Sequence, residues 1–346
     1  MNRNKEHFRG CLIGGAAGDA LGAPTEFMSL EEIRDKFGKD GVKDLIYNKN
    51  HKAKITDDTQ MTLFTAEGLL RGEVRHTYKG LSVVFHAYLR WLHTQGEETQ
   101  GKNFREAEYD GWLIRVDDLH ARRAPGATCI SSLVNGVMGT IETPLNDSKG
   151  CGGVMRSAPV GLYVIGNRVF DMACEIAALT HGHPSGYLAA GVFAMIIHDI
   201  ISGMSVIDSV NNSLEILKTK KHYKECLDKI QLAIRLASES KSPDEDIKKI
   251  GEGWVAEEAI AISIYCSLMA DNDFEKGIRM AVNHSGDSDS TGSITGNILG
   301  AFLGFSSIPQ RWSSNLELSE EIVQLADDLL TSFKDENEWW NRYPGW

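Results

Sequence analysis

Apolar residues recur at helical spacing through residues 60–72, 80–93, 128–141, 169–181, 186–203, 209–236, 254–270, 291–304 and 319–334, whereas strand-like alternation is scarce. The pattern predicts a nearly all-helical protein. Prolines fall between several of these runs, at Pro24, Pro125, Pro144, Pro184, Pro243 and Pro309, where they punctuate the helices. Two segments differ in texture. Gly10, Gly14, Gly18 and Gly22 recur every four residues near the start, as do Gly292, Gly296, Gly300 and Gly304 near the end. A glycine inside a helix costs about 1 kcal/mol against alanine, so eight of them call for a packing reason. Stripes of small residues let backbones approach closely, as they do between membrane helices. The first and last glycine-rich helices are therefore expected side by side at the centre of the fold.

Segments 39–54 and 94–110 read as polar loops that could shape an entrance. Segment 205–250 is rich in charge, with Lys218, Lys220, Lys221, Lys224 and the turn-like Ser242-Pro243-Asp244-Glu245, and is expected as a solvated peripheral helix pair without chemistry. No internal repeat, low-complexity tract or linker interrupts the chain, which points to a single domain over 1–346.

Hydrophobic residues at 42% and charged residues at 24% are ordinary for a soluble globular protein, so disorder is not expected. The net charge of −12 argues against nucleic acid as the main partner, since phosphate backbones are met by clustered cations. An anionic small molecule would have to be held by metal ions and backbone amides, which act locally against an unfavourable field. Cys11, Cys129, Cys151, Cys174, Cys226 and Cys266 form no C-x-x-C pair, so neither a zinc site nor a disulfide framework is indicated and reduced thiols are expected. The N-terminus lacks a signal-peptide pattern, and no uninterrupted apolar run is long enough for a bilayer. A cytoplasmic protein without a membrane partner is the expectation.

Two acidic clusters stand far apart, Thr56-Asp57-Asp58-Thr59 and Asp287-Ser288-Asp289-Ser290-Thr291. Taken alone, each reads as a helix cap, because threonine and aspartate satisfy the free amides at a helix start. Both, however, lie in glycine-rich, weakly charged sequence, where several unpaired carboxylates are costly to bury without a cation. As ligands, Thr56, Asp57, Asp58, Asp287, Asp289 and Ser290 supply only oxygen, which suits two Mg²⁺ or Mn²⁺ ions better than zinc. Two such ions about 4 Å apart orient vicinal hydroxyls and acidify water, so hydrolysis is the natural reaction class. Glu26, Asp58 and Asp289 are the candidate catalytic carboxylates. Asp19 is expected to cap or brace the backbone.

The turn Lys149-Gly150-Cys151-Gly152-Gly153-Val154-Met155-Arg156 offers free amides to a diphosphate, although it matches neither the dinucleotide fingerprint nor the P-loop. Arg156 reads as a phosphate partner or an interior salt bridge. In His181-Gly182-His183-Pro184 the imidazoles are assigned to hydrogen bonding with a ligand or the loop rather than to metal. Trp254, Tyr265 and the tail Trp339-Trp340-Asn341-Arg342-Tyr343 offer flat surfaces for a base, or plain packing.

Together the blocks GDALGAPTEF, ITDDTQMTLFTAEGLL, RRAPGATC, GCGGVMRSAPVGL, HGHPSGYLAAG and NHSGDSDSTGSITGNILGAFLG, in this order over residues 9–304, resemble the ADP-ribosylglycohydrolases. The resemblance implies an all-α orthogonal multi-helix bundle with a binuclear Mg²⁺ centre, sometimes Mn²⁺, that removes ADP-ribose from modified protein side chains. It places the metal ligands on Thr56, Asp57, Asp58, Asp287, Asp289 and Ser290. The diphosphate loop falls on Gly152, Gly153, Val154 and Met155, the ligand-contacting histidine on His181, and the family's glutamate on Glu26. Ser290 stands where some members carry threonine. GDSDSTG and the block Gly253-Trp254-Val255-Ala256-Glu257-Glu258-Ala259 resemble the arginine-directed branch. The implied partners are an ADP-ribosylated protein and ADP-ribose. Rival readings are an immunity protein that neutralises an ADP-ribosyltransferase toxin by binding, a hydrolase of O-linked ADP-ribose such as the serine or O-acetyl forms, and an inert lens-crystallin-like relative.

Overall fold

The computed structural model describes residues 2–74, 80–100, 109–239 and 242–345. Among these the chain forms seventeen α-helices. The first nine are α1 (Lys5–Gly22), α2 (Leu30–Phe37), α3 (Asp57–Val74), α4 (Leu81–Thr94), α5 (Ala127–Val134), α6 (Ala158–Tyr163), α7 (Arg168–Ala178), α8 (Pro184–Ser202) and α9 (Val206–Leu217). The remainder are α10 (Lys224–Glu239), α11 (Pro243–Ile250), α12 (Ala256–Met269), α13 (Phe274–Val282), α14 (Ser288–Leu303), α15 (Gln310–Ser313), α16 (Ser319–Thr331) and α17 (Asn337–Arg342). Extended pairing among the described residues is limited to isolated bridges such as Gly150–Val255. The buried apolar side chains form one continuous cluster.

The architecture is organised by α1 and α14, which pack antiparallel with glycine against glycine. A methyl group added at Gly10, Gly14, Gly18 or Gly22 would lie closer than 3.0 Å to the carbonyl of Gly300, Gly296, Gly292 or Ser288 respectively. No flexible side chain stands in between, so nothing can give way, and only glycine permits this spacing. The antiparallel register brings the C-terminal end of α1 beside the N-terminus of α14. Gly304, the last of the second stripe, is not part of it: α14 ends at Leu303 and Gly304 caps it at φ +89°.

A further link joins α1 to α3. Asp19, buried in α1, accepts the amides of Thr56 (3.0 Å) and Thr59 (3.2 Å) and the Thr59 hydroxyl. It satisfies from outside the free amides that begin α3. Three helix ends thus meet, carrying Glu26, Asp57 with Asp58, and Asp287 with Asp289.

Several expectations change. The 128–141 run is helical only to Val134, because Asn135-Gly136 turns the chain with Gly136 at φ +65°. The 209–236 run is two helices, α9 and α10, parted at the cationic stretch Lys218–Lys221, where His222 takes φ +59°. Like charges and a left-handed residue stop the helix although the apolar spacing continues. Segment 205–250 accordingly holds three helices rather than a pair. Segment 39–54 is irregular as expected, whereas residues 101–108 of the second polar loop lie outside the described residues. Helix α8 is long and apolar enough to cross a membrane by length and composition, contrary to the expectation, but 89% of its apolar window is buried inside the fold. All six cysteines are free thiols.

Candidate functional site

Both acidic clusters open helices, and both face one cavity of about 310 Å³. Asp57 and Asp58 line it from the start of α3, Asp287, Asp289 and Ser290 from the start of α14, and Glu26 from the turn after α1. Capping is real at both ends: Asp287 accepts the Ser290 amide at 3.3 Å, and the Thr56 hydroxyl accepts the Asp58 amide at 3.3 Å. Thr56 and Asp19 stand behind the cavity wall rather than on it.

The electrostatics are those of acids crowded out of water. Burial, and then the neighbouring Asp289, push Asp57, Asp58 and Asp287 well above the usual carboxylate range. The same two causes raise Asp19 to about 7, against the hydrogen bonds from Thr59 and Thr56. Glu26 rises to about 10 through burial and the charges of Asp289, Asp287 and Asp57. Contact with the Asp289 side chain adds to the rise at both Glu26 and Asp287.

The donor set is suited to a hard dication. Asp58 Oδ2 is buried without a hydrogen-bond partner, and a cation would relieve both that orphan and the mutual repulsion. Among the described residues no three His, Cys, Asp or Glu side chains close on a point tightly enough to hold an ion unaided. The hydroxyls of Thr56 and Ser290, water and a ligand's own oxygens would complete the coordination.

The adjoining wall is the glycine turn, whose Cys151 Sγ lies 2.7 Å from Asp287 Oδ2. Gly150, Cys151, Gly152 and Met155 line the cavity, whereas Gly153 and Val154, expected to bind with them, are buried behind it. Gly152 has no room for a side chain: a methyl group there would sit 2.8 Å from Cys129 Sγ and 3.0 Å from His181 Cε1. His181 also lines the cavity. Its Nδ1 is 2.9 Å from Thr180 Oγ1, which accepts from Arg156 Nη2 at 2.7 Å. Assigned from this network, the Thr180 proton goes to Nδ1 and leaves Nε2–H as a donor. Burial, then Arg156, lower the imidazole pKa to about 3, so the ring is neutral.

Other candidates fall away from the cavity. Arg156 does not line the cavity and, among the described residues, pairs with no carboxylate; it is fully buried, 4.2 Å over the Tyr88 ring and donating to Thr180. His183 caps α8 through Nδ1, Tyr265 is buried with its hydroxyl on Asp246, and Trp339 and Tyr343 pack in the core. Trp254 does reach the mouth, where it stacks on Phe27 at 5.2 Å and 22°.

Sequence reasoning missed Phe27 and the segment Ala124–Cys129 as cavity lining. Phe27 is 69% exposed and, like Ala124, takes a positive φ (+65° and +52°). Non-glycine residues held there store strain, which clusters at functional sites. The Gly126 amide donates to Asp57 Oδ2 at 3.2 Å. The signals available beforehand were the blocks themselves, GDALGAPTEF ending on Phe27 and RRAPGATC ending on Cys129.

Such an arrangement defines an all-α protein whose acidic helix ends and glycine turn line one small cavity. The family model described as ADP-ribosylglycohydrolase matches residues 1–338, and the chain belongs to that family, hydrolases acting on ADP-ribosylated substrates. An uncharacterised protein of Archaeoglobus fulgidus is 31% identical over 94% of this chain and 96% of its own length. ADP-ribosylhydrolase ARH3 of Bos taurus is 25% identical over 96% and 94%, and ADP-ribosyl-[dinitrogen reductase] glycohydrolase of Rhodospirillum rubrum is 24% identical over 93% and 94%. A solved structure titled as an ADP-ribosylglycohydrolase-related protein complex superposes with a TM-score of 0.63, covering 96% of this chain and 99% of that one at 24% identity.

Proposed function

We propose that this protein hydrolyses the N-glycosidic bond of ADP-ribosylarginine in modified proteins, using two Mg²⁺ ions. The observation that carries the reading is the convergence of Glu26, Asp57, Asp58, Asp287 and Asp289 on one cavity that a glycine turn and His181 also line. The ions would be held by Asp57, Asp58, Asp287, Asp289 and Ser290, with Thr56 behind them. Bound there, they supply positive charge that orients ribose hydroxyls and acidifies water.

This chain's own residues account for the rest. The turn around Gly152 and Met155 brings backbone close to a diphosphate, and the neutral His181 offers Nε2–H to one of its oxygens. Trp254 gives a flat surface at the mouth. As the bond to the anomeric carbon breaks, positive charge grows on the sugar, and the carboxylates around it favour that state. Water supplies hydroxide to the anomeric carbon and a proton to the departing nitrogen, yielding ADP-ribose and free arginine. With the dications offsetting the charges that raise its pKa, Glu26 would be ionised and would relay that proton from the water to the nitrogen.

Support for the arginine linkage comes from the mouth, where the exposed Phe27–Trp254 pair offers flat ring faces to a planar cation. A guanidine that leaves protonated also needs little acid assistance. The test is incubation with Mg²⁺ and separately prepared arginine-linked and serine-linked ADP-ribosyl substrates. Release of free ADP-ribose from the arginine substrate is expected; release from the serine substrate alone would reject the linkage, and release from neither would reject the activity.

A further inference from the structure

Cys151 is the one cysteine of the six that is not fully buried, and it lines the cavity from the glycine turn. Its thiol donates to Asp287 Oδ2 at 2.7 Å and lies 3.5 Å from the Ser290 hydroxyl, which donates to the sulfur. The other oxygen of Asp287 is taken by the Ser290 amide. Cys151 is therefore the side chain that ties the glycine turn to the start of α14.

The backbone repeats the connection. Cys151 N–H donates to the Trp254 carbonyl at 3.2 Å, Ala256 N–H to the Lys149 carbonyl at 2.8 Å, and Asp287 N–H to the Glu252 carbonyl at 2.8 Å. The turn, the 252–256 segment and the acid cluster thus form one circuit. Across the same cavity, the buried and unpartnered Asp58 Oδ2 independently marks the place of a cation.

We propose that Cys151 is a positioning residue which orients Asp287 for the dication and couples dication binding to binding of the diphosphate on the glycine turn. Carboxylates that ligate metals are commonly held by an outer hydrogen-bond donor, whose loss weakens metal affinity about 10–100-fold. In most settings such a donor belongs to the scaffold. Here it belongs to the turn that meets the other half of the ligand, so settling either one settles Asp287 for the other. Coupling of this kind is reciprocal by thermodynamic necessity.

The inference rests on the dication reading above, and the experiment separates the two. Mn²⁺ affinity is read from the electron paramagnetic resonance of free Mn²⁺, and ADP-ribose affinity by calorimetry with and without Mn²⁺. These are measured for the wild type, Cys151→Ala, Cys151→Val and Cys151→Ser. In the wild type, Mn²⁺ and ADP-ribose are expected to tighten each other's binding by the same factor. Ala and Val, which have no donor, should bind Mn²⁺ about 10–100-fold more weakly and lose most of the mutual tightening. Serine, which keeps a donor, should restore both. A role in stability alone would shift the melting temperature and leave these affinities unchanged. Equal affinities and equal coupling in wild type and Ala would overturn the inference, as would a Ser variant as impaired as Ala. If the wild type bound no Mn²⁺, the dication reading would fall and this inference with it.

Discussion

At Asp58, burial acts first against the ionised carboxylate, and the charges of Asp289, Asp57, Asp19 and Asp287 add to it. Replacing it by the neutral isostere should relieve that repulsion and remove an expected ligand together. Asp58→Asn is predicted to raise the melting temperature in EDTA by about 1–2 °C for each kcal/mol of repulsion relieved, and to abolish ADP-ribose release. A variant that melted lower in EDTA while staying active would contradict this. Asp19 and Glu26 set a pH dependence whose sign follows from their raised values of about 7 and about 10. The folded protein keeps these protons where the unfolded chain has released them, so cation-free stability is greatest below about pH 4 and declines as pH rises. The Asp19 contribution is lost by about pH 7 and that of Glu26 by about pH 10. Melts in EDTA should therefore fall in temperature between about pH 5 and 8, and Mg²⁺ should flatten the slope; a rise over that range without Mg²⁺ would count against the raised values. The meeting of the two acidic clusters was legible in advance, since aspartates and hydroxyls crowd into glycine-rich sequence at both of them. What the alphabet of residues does not carry is which side of a turn faces inward: Phe27 was not anticipated as lining, and of the expected loop Gly152 and Met155 line the cavity while Gly153 and Val154 do not.

The glycine stripes are the clearest case at the scale of elements, because their spacing alone implied two helices packed side by side, and the structure adds that they run antiparallel. Gly296→Ala would set a methyl group against the Gly14 carbonyl, backbone against backbone. Overpacking of this kind costs about 1–3 kcal/mol or more, visible as a lower denaturant midpoint. Gly150→Ala is the matched control: its methyl would meet nothing closer than 3.5 Å, and the midpoint should hardly move. Periodicity served well where a helix has one apolar face, as in α7 and α16. It failed for short helices fixed by their ends. In α2, for example, the Ser29 and Glu32 side chains close a capping box around a helix of eight residues with one buried apolar side chain. It failed also where a charge run broke an otherwise continuous pattern, between α9 and α10.

At the scale of the molecule, the pairing of α1 with α14 explains how acids more than two hundred residues apart share a cavity, and the Asp19 brace explains how α3 joins them. Each supports the other: separating the helices would scatter the carboxylates, and the carboxylates are tolerated only because the helices hold them. The account therefore predicts that dications stabilise the whole fold and not merely the cavity. Stability should rise with free Mg²⁺ concentration as expected for a ligand that binds only the folded state, and EDTA should reverse it and stop ADP-ribose release. The most direct test is an anomalous difference map from crystals of the protein soaked in Mn²⁺. The account predicts two peaks between the starts of α3 and α14, within reach of Asp57, Asp58, Asp287 and Asp289; an empty map at that place in crystals that hold Mn²⁺ elsewhere would contradict it.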